Sequence, residues 1–72
     1  MEFIKVKSSN IDKVAYDEGS LYVEYVSGGL YRYLDVPKEK YDALLESDSK
    51  GRFMNGIIKE NYKYEKVERG AK

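Results

Sequence analysis

Apolar and polar positions alternate with period two through the middle of the chain, then pass to a helical spacing in its second half. The clearest alternation runs from Leu21 to Leu34, where two stretches rich in β-branched and aromatic residues flank Ser27-Gly28-Gly29. That cluster supplies the positive φ that a tight reversal needs, so the stretch reads as a hairpin. A two-residue loop at Gly28-Gly29 would set Tyr25 against Arg32 and drop a guanidinium into an apolar face. A three-residue loop sets Ser27 against Tyr31, Tyr25 against Tyr33 and Val26 against Arg32. Leu21, Val23, Tyr25, Tyr31 and Tyr33 then share one face, with Glu24 and Arg32 on the other. A one-residue slip would exchange the faces, so the register that separates charge from apolar surface is preferred.

Upstream, Ile11 to Tyr16 reads as a strand with Val14 and Tyr16 on one side, and Asp17-Glu18-Gly19-Ser20 as a second tight turn. Pairing Tyr16 with Leu21 and Val14 with Val23 places all four on the face already chosen. The opposite face then carries Lys13, Ala15, Tyr22, Glu24, Val26, Arg32 and Leu34, a mixed set suited to solvent. Ser8-Ser9-Asn10 is turn chemistry, and the run Phe3-Ile4 with Val6 reads as an edge strand or as an arm covering part of that mixed face. Downstream, Pro37 suits a helix start, with Tyr41, Leu44 and Leu45 following at helical spacing. Ser47-Asp48-Ser49 separates a second helix that begins near Lys50 and gathers Phe53, Met54, Ile57 and Ile58 on one stripe. Asn55 and Gly56 weaken that helix's propensity, so packing must hold it. Tyr62 to Val67 returns to period two and reads as a further edge strand, and 69–72 as a frayed end.

The predicted architecture is α+β: a small three-stranded antiparallel meander, two short helices packed on one face, and edge strands contributed by the termini. A chain of 72 residues supports one domain, 1–72, with its core at about 6–64. It contains neither cysteine nor histidine, which removes disulfides, thiol catalysis, Ser-His triads and the common zinc sites. Thirteen basic and thirteen acidic residues cancel and are interspersed, so no global field draws the chain to nucleic acid. The start, Met1-Glu-Phe-Ile-Lys, lacks a signal peptide's apolar core, and no run reaches membrane-spanning length. The expectation is a cytoplasmic protein with no membrane contact, no metal and no cofactor. Eight tyrosines suit a thin core, because a phenol buries its ring while keeping its hydroxyl at a wet edge.

Ser8-Ser9, Ile11, Tyr16-Asp17, Leu21-x-Val23-x-Tyr25-x-Ser27-Gly28, Tyr31-x-Tyr33, Val36-Pro37, Tyr41, Leu44, Ser49-Lys50-Gly51, Phe53, Asn55, Ile58 and Tyr62 follow one another in this order. The combination resembles the KTSC domain, a small module named for the carboxyl end of some lysyl-tRNA synthetases. The same module also occurs as a free-standing protein in bacteria and phages. The likeness extends from about Val6 to Tyr64. It implies a module without established activity, and the domain's place in synthetases implies RNA as a partner.

Among candidate sites, Ser49-Lys50-Gly51 opens a helix with Arg52, Lys59 and Lys63 close by in sequence, a composition suited to a phosphate or other anion. The Gly-x-x-x-x-Gly spacing of a P-loop is absent. Asn55 could serve that site, or bond back to the Ser8-Ser9 segment. The register turns Tyr31 and Tyr33 inward as core, which leaves the outward Tyr22 as the better ring for stacking on a base. Asp17, Glu18, Glu24 and Asp48 lie where turns and caps favour acids and lack metal-ligand spacing, so no catalytic residue is assigned. The leading expectation is a non-catalytic binding module for RNA or another polyanion, using Ser49, Lys50, Gly51, Arg52, Lys59 and Tyr22. The alternative is a protein-interaction module that adds a strand or presents the Tyr22, Val26, Leu34 face.

Overall fold

The computed structural model describes residues 2–67, so the frayed end expected at 69–72 lies outside the described residues. Its strands β1 (Ile4–Lys5), β2 (Ile11–Asp17), β3 (Ser20–Tyr25), β4 (Leu30–Tyr33) and β5 (Tyr64–Lys66) form one antiparallel sheet in chain order. The meander of β2, β3 and β4 is therefore extended on each side by a terminal strand. Between β4 and β5 the chain forms α1 (Lys38–Glu46), then a single helical rod. The rod comprises α2 (Lys50–Phe53), a π-helical segment (Met54–Ile58) and α3 (Lys59–Asn61). The weak propensity expected at Asn55-Gly56 falls inside that π segment, where the wider turn is held by Met54 and Ile58 in the core.

The β2–β3 turn follows the sequence reading: Tyr16 lies opposite Leu21 and Val14 opposite Val23. Its two central residues, Glu18 at φ 48° and Gly19 at φ 81°, are both left-handed, the mirror-image turn that matches strand twist. The β3–β4 register needs correction. Tyr33 lies opposite Leu21, and Tyr31 opposite Val23, so β4 is displaced four positions along β3 from the expected pairing. The loop does contain three residues, but they are Val26-Ser27-Gly28. Tyr25 N–H donates to the Gly29 carbonyl and Gly28 N–H to the Tyr25 carbonyl, each at 2.8 Å. Gly28 takes the loop's left-handed position at φ 111°. Gly29 starts the return instead, and a Cβ there would come within 2.8 Å of the Tyr31 ring. Because the displacement is even, each side chain keeps the face assigned to it.

A second departure lies in β2, where pairing shifts between Ile11 and Lys13 and leaves Asp12 as an extra residue. This bulge turns Ile11 to the same face as Val14, which strict alternation would not do. The core is then Ile11, Val14, Leu21, Val23 and Tyr33 from the sheet, Val36, Tyr41 and Leu44 from α1 and its approach, and Met54 and Ile58 from the rod. Phe53, Ile57 and Leu45 flank it half-buried, in agreement with the stripes read from the sequence. Asp35, at φ 56°, turns the chain out of the sheet. Tyr16 locks that junction by donating to the Val36 carbonyl at 2.6 Å and stacking on Tyr41, ring centres 5.3 Å apart. Pro37 is the residue before α1 rather than its first member, with extended backbone (ψ 147°).

The opposite face is less open to solvent than its composition suggests. Ala15 is fully buried there, and Phe3 of the N-terminal arm meets Tyr22 edge-on at 6.5 Å. Arg32 donates to Ser20 Oγ at 3.2 Å and pairs with Glu65 at 2.8 Å, tying β5 across β4 to β3. Among the described residues, no helix is long and apolar enough to cross a membrane.

Candidate functional site

On the helical face, three adjoining hollows make one elongated groove between the rod and the strand ends. The first, about 380 Å³, lies where the 7–10 loop meets the start of the rod, and is lined by Lys7, Ser8, Ser9, Asn10, Asp48, Ser49, Lys50, Gly51, Arg52 and Asn55. The second, about 440 Å³, shares Ser9, Asn10, Gly51 and Asn55 with it and continues to Tyr25, Ser27 and Lys59. The third, about 360 Å³, shares Tyr25, Ser27 and Lys59 and ends at Tyr31, Tyr33 and Tyr64. These volumes lie within the ordinary range for small-ligand clefts, roughly 300–1,000 Å³.

Local chemistry builds each part. The Ser8 hydroxyl accepts from the Asn10 and Ile11 N–H groups at 3.2 Å each, folding the loop so that the Asn10 carbonyl receives Val26 N–H at 2.8 Å. Gly51 lets the rod lie against this loop, since a Cβ there would sit 3.2 Å from Asn10 Nδ2. Lys50 turns back, its ammonium 2.9 Å from the Ser47 carbonyl. Arg52 is exposed at the mouth. Four residues apart along the rod, Asn55 and Lys59 both reach the groove, while Met54 and Ile58 enter the core. The Lys59 ammonium stands 5.4 Å above the Tyr25 ring centre, close enough for cation–π attraction.

Beyond Lys59 the groove becomes aromatic. Tyr31 meets Tyr25 edge-on at 5.6 Å and Tyr64 at 5.7 Å, and Tyr64 also lies 5.6 Å from Tyr33. Tyr33 is buried, but Tyr64 on the outer strand is 58% exposed. Tyr33 and Tyr25 hydroxyls meet at 2.9 Å beneath this shelf. Burial pushes both phenols above their ordinary ionisation range; for Tyr25 the hydrogen bond to Tyr33 opposes that rise, whereas for Tyr33 the bond adds to it. Lys66 is opposite Tyr31 in the β4–β5 pairing and so projects from the shelf's face, whereas Arg32 and Glu65 project from the other.

Of the residues singled out in the sequence, Ser49, Lys50, Gly51, Arg52 and Lys59 come together along this groove. Gly51 serves as the contact with the Asn10 loop. Tyr22 does not join them: it occupies the opposite sheet face against Phe3. Val26 is also separated from Tyr22, since it lies in the turn and lines the groove. The Tyr22, Val26, Leu34 set therefore does not form one face. Tyr64, Lys66 and Asn10 were missed, and Tyr31, which the sequence reading turned inward as core, stands half-buried at the aromatic end of the groove. The period-two tail carried a signal for Tyr64 and Lys66, but only the β4–β5 register brings them beside Tyr31.

These features define a small antiparallel sheet with a helical cover and a polar-to-aromatic groove between the rod and the strand ends. The KTSC domain model matches residues 7–62, and the chain belongs to that family. It is 41% identical over 71 residues to an uncharacterized protein of Stutzerimonas stutzeri, covering 94% of this chain and 100% of that one. A lysine–tRNA ligase of Nostoc punctiforme is 32% identical over 66 residues, which are 89% of this chain and 12% of the ligase. The crystal structure of a KTSC domain protein from Yersinia pestis superposes with a TM-score of 0.87 at 32% identity, covering 93% of this chain and 97% of that one.

Proposed function

We propose that this KTSC domain is a non-catalytic module that binds single-stranded RNA along the groove, with phosphates on its basic side chains. The carrying observation is Lys59, which stands over Tyr25 at the point where the polar and aromatic halves of the groove meet. Lys7, Lys50 and Arg52 extend positive charge along one side of that point. A flexible strand suits a bent channel of this kind, because single-strand sites combine backbone-tracking cations with rings on which bases stack. Asp48 at the far end opposes an anion and sets a limit to the basic track. The likeness to a lysine–tRNA ligase supports the choice of RNA over other polyanions.

Strand addition is a weaker reading. The outer strands have two and three residues and carry Lys5, Glu65 and Lys66, the short charged edges that discourage pairing with another chain.

NMR titration with a mixed pool of short single-stranded RNAs tests the proposal. Amide shifts should concentrate at Asn10, Gly51, Asn55 and Lys59. Shifts confined to β1 and the Tyr22 face, or none at low salt, would overturn it.

A further inference from the structure

Resting on that reading, we infer that the Tyr31–Tyr64 shelf is a stacking subsite for an unpaired nucleobase, with Lys59 and Lys66 at its flanks to hold the adjoining phosphates. The polar half of the groove could hold any polyanion, but the shelf adds a requirement for a planar ring.

Several independent features converge there. Tyr64 leaves 58% of its surface open although it lies beside two other tyrosines, so it is not used up by core packing. Its ring is tilted 59° from Tyr31 and 38° from Tyr33, which makes a concave aromatic corner rather than a closed stack. The hollow at that corner, about 360 Å³, is of the size of a small-ligand pocket. Beneath it, the 2.9 Å contact between the Tyr25 and Tyr33 hydroxyls fixes two of the supporting rings. Gly29 leaves the space that the Tyr31 ring occupies. Cations lie on the two sides: Lys59 over Tyr25, and Lys66 opposite Tyr31. Rings bordered by ammonium groups match a nucleotide, whose π-face and phosphate are recognised separately. A duplex hides its base faces in its own stack, so this corner selects single strands.

Two binding curves separate this inference from the function it rests on: one with a short single-stranded oligoadenylate, the other with an abasic oligonucleotide of equal length and charge. Stacking on one base corresponds to a difference of about tenfold or more in affinity, so the oligoadenylate should bind that much more tightly. Tyr64→Thr keeps a residue favoured in strands and should remove most of that preference, while abasic binding and its salt dependence stay unchanged. Gly29→Ala, which pushes on the Tyr31 ring without asking for a left-handed backbone, should weaken only the oligoadenylate. Tyr64→Phe keeps the ring and should bind as the native protein does, and native-like slow amide exchange at Glu65 and Lys66 in Tyr64→Thr excludes loss of β5 as the cause. Equal affinities for the two strands, or a preference untouched by Tyr64→Thr, would overturn the stacking subsite and leave the phosphate groove standing. Failure of both strands to bind would overturn the two together.

Discussion

The hydroxyl of Tyr25 meets that of Tyr33 at 2.9 Å, although the two residues are not paired in the sheet: Tyr33 is opposite Leu21, and Tyr25 lies at the hairpin's closing end. Long side chains thus cross the sheet diagonally beneath the aromatic shelf. The contact joins a buried residue, Tyr33, to a half-buried one. This asymmetry makes the two deletions unequal. Tyr25→Phe leaves the buried Tyr33 hydroxyl without that partner and should cost roughly 1–3 kcal/mol, whereas Tyr33→Phe leaves a hydroxyl nearer solvent and should cost about 1 kcal/mol. Urea denaturation of the two variants measures the difference, and equal losses would contradict this asymmetry, while no loss from either would contradict the contact.

The same burial gives the fold a limit at high pH. Tyr33 has its ionisation raised in the folded state above the ordinary value of 10.0, first by burial and then by its bond to Tyr25. Below that ordinary value both states keep the proton, and the contribution to stability is complete. As pH rises above it, only the unfolded state gives up the proton, so stability falls. The loss from Tyr33 should approach about 1.4 kcal/mol per pH unit, a slope that Tyr33→Phe removes. Thermal melts between pH 8 and pH 12, on the order of one unit apart, test this. A native melting temperature as insensitive to alkali as that of the Phe variant would contradict it.

Glu18 is strained by the tight turn, since its φ of 48° is left-handed. Asparagine followed by glycine is the preferred pair for such a turn. Glu18→Asn should therefore stabilise the domain by about 0.5–1 kcal/mol and raise the melting temperature by several degrees. A lower melting temperature would show that Glu18 makes a compensating interaction.

Gly56 lies in the π-helical segment, and a Cβ there would meet nothing within 4 Å. Gly56→Ala should stabilise the rod by about 0.5–1 kcal/mol through the entropy it removes from the unfolded chain. If the π turn depends on glycine, the same variant will instead destabilise, and its helical amides will exchange faster with solvent.

The sequence was legible where one period dominated. Leu21, Val23, Tyr31 and Tyr33 face the core as alternation required, and Met54 and Ile58 as helical spacing required. It was misleading where two glycines competed for one role. Gly28 and Gly29 both permit a turn, and alternation does not say which takes the left-handed position; Gly28 does, at φ 111°, while Gly29 leaves room for the Tyr31 ring. Ile11 reached the core through a bulge at Asp12, which no periodicity announces. The candidate site was legible in its charges and incomplete in its rings. Lys50, Gly51, Arg52 and Lys59 are near neighbours in sequence, whereas Tyr31 and Tyr64 meet only through a long-range strand pairing. Tyr22 has the outward parity expected of it, but the Phe3 arm, which approaches from another part of the chain, packs on it.

The salt dependence of RNA affinity tests the central claim most directly. Lys7, Arg52 and Lys59 line the groove, and Lys50 is partly engaged with the Ser47 carbonyl. With Lys66 at the aromatic shelf, about four phosphates should therefore be neutralised, giving a slope near −3 for log affinity against log salt with a single strand. Arg52→Glu with Lys59→Glu should lower affinity sharply at low salt and flatten that slope toward about −1.4, while the far-UV spectrum and melting temperature stay near native. An affinity and slope unchanged by the double substitution, or no RNA binding by the native domain at low salt, would contradict the account.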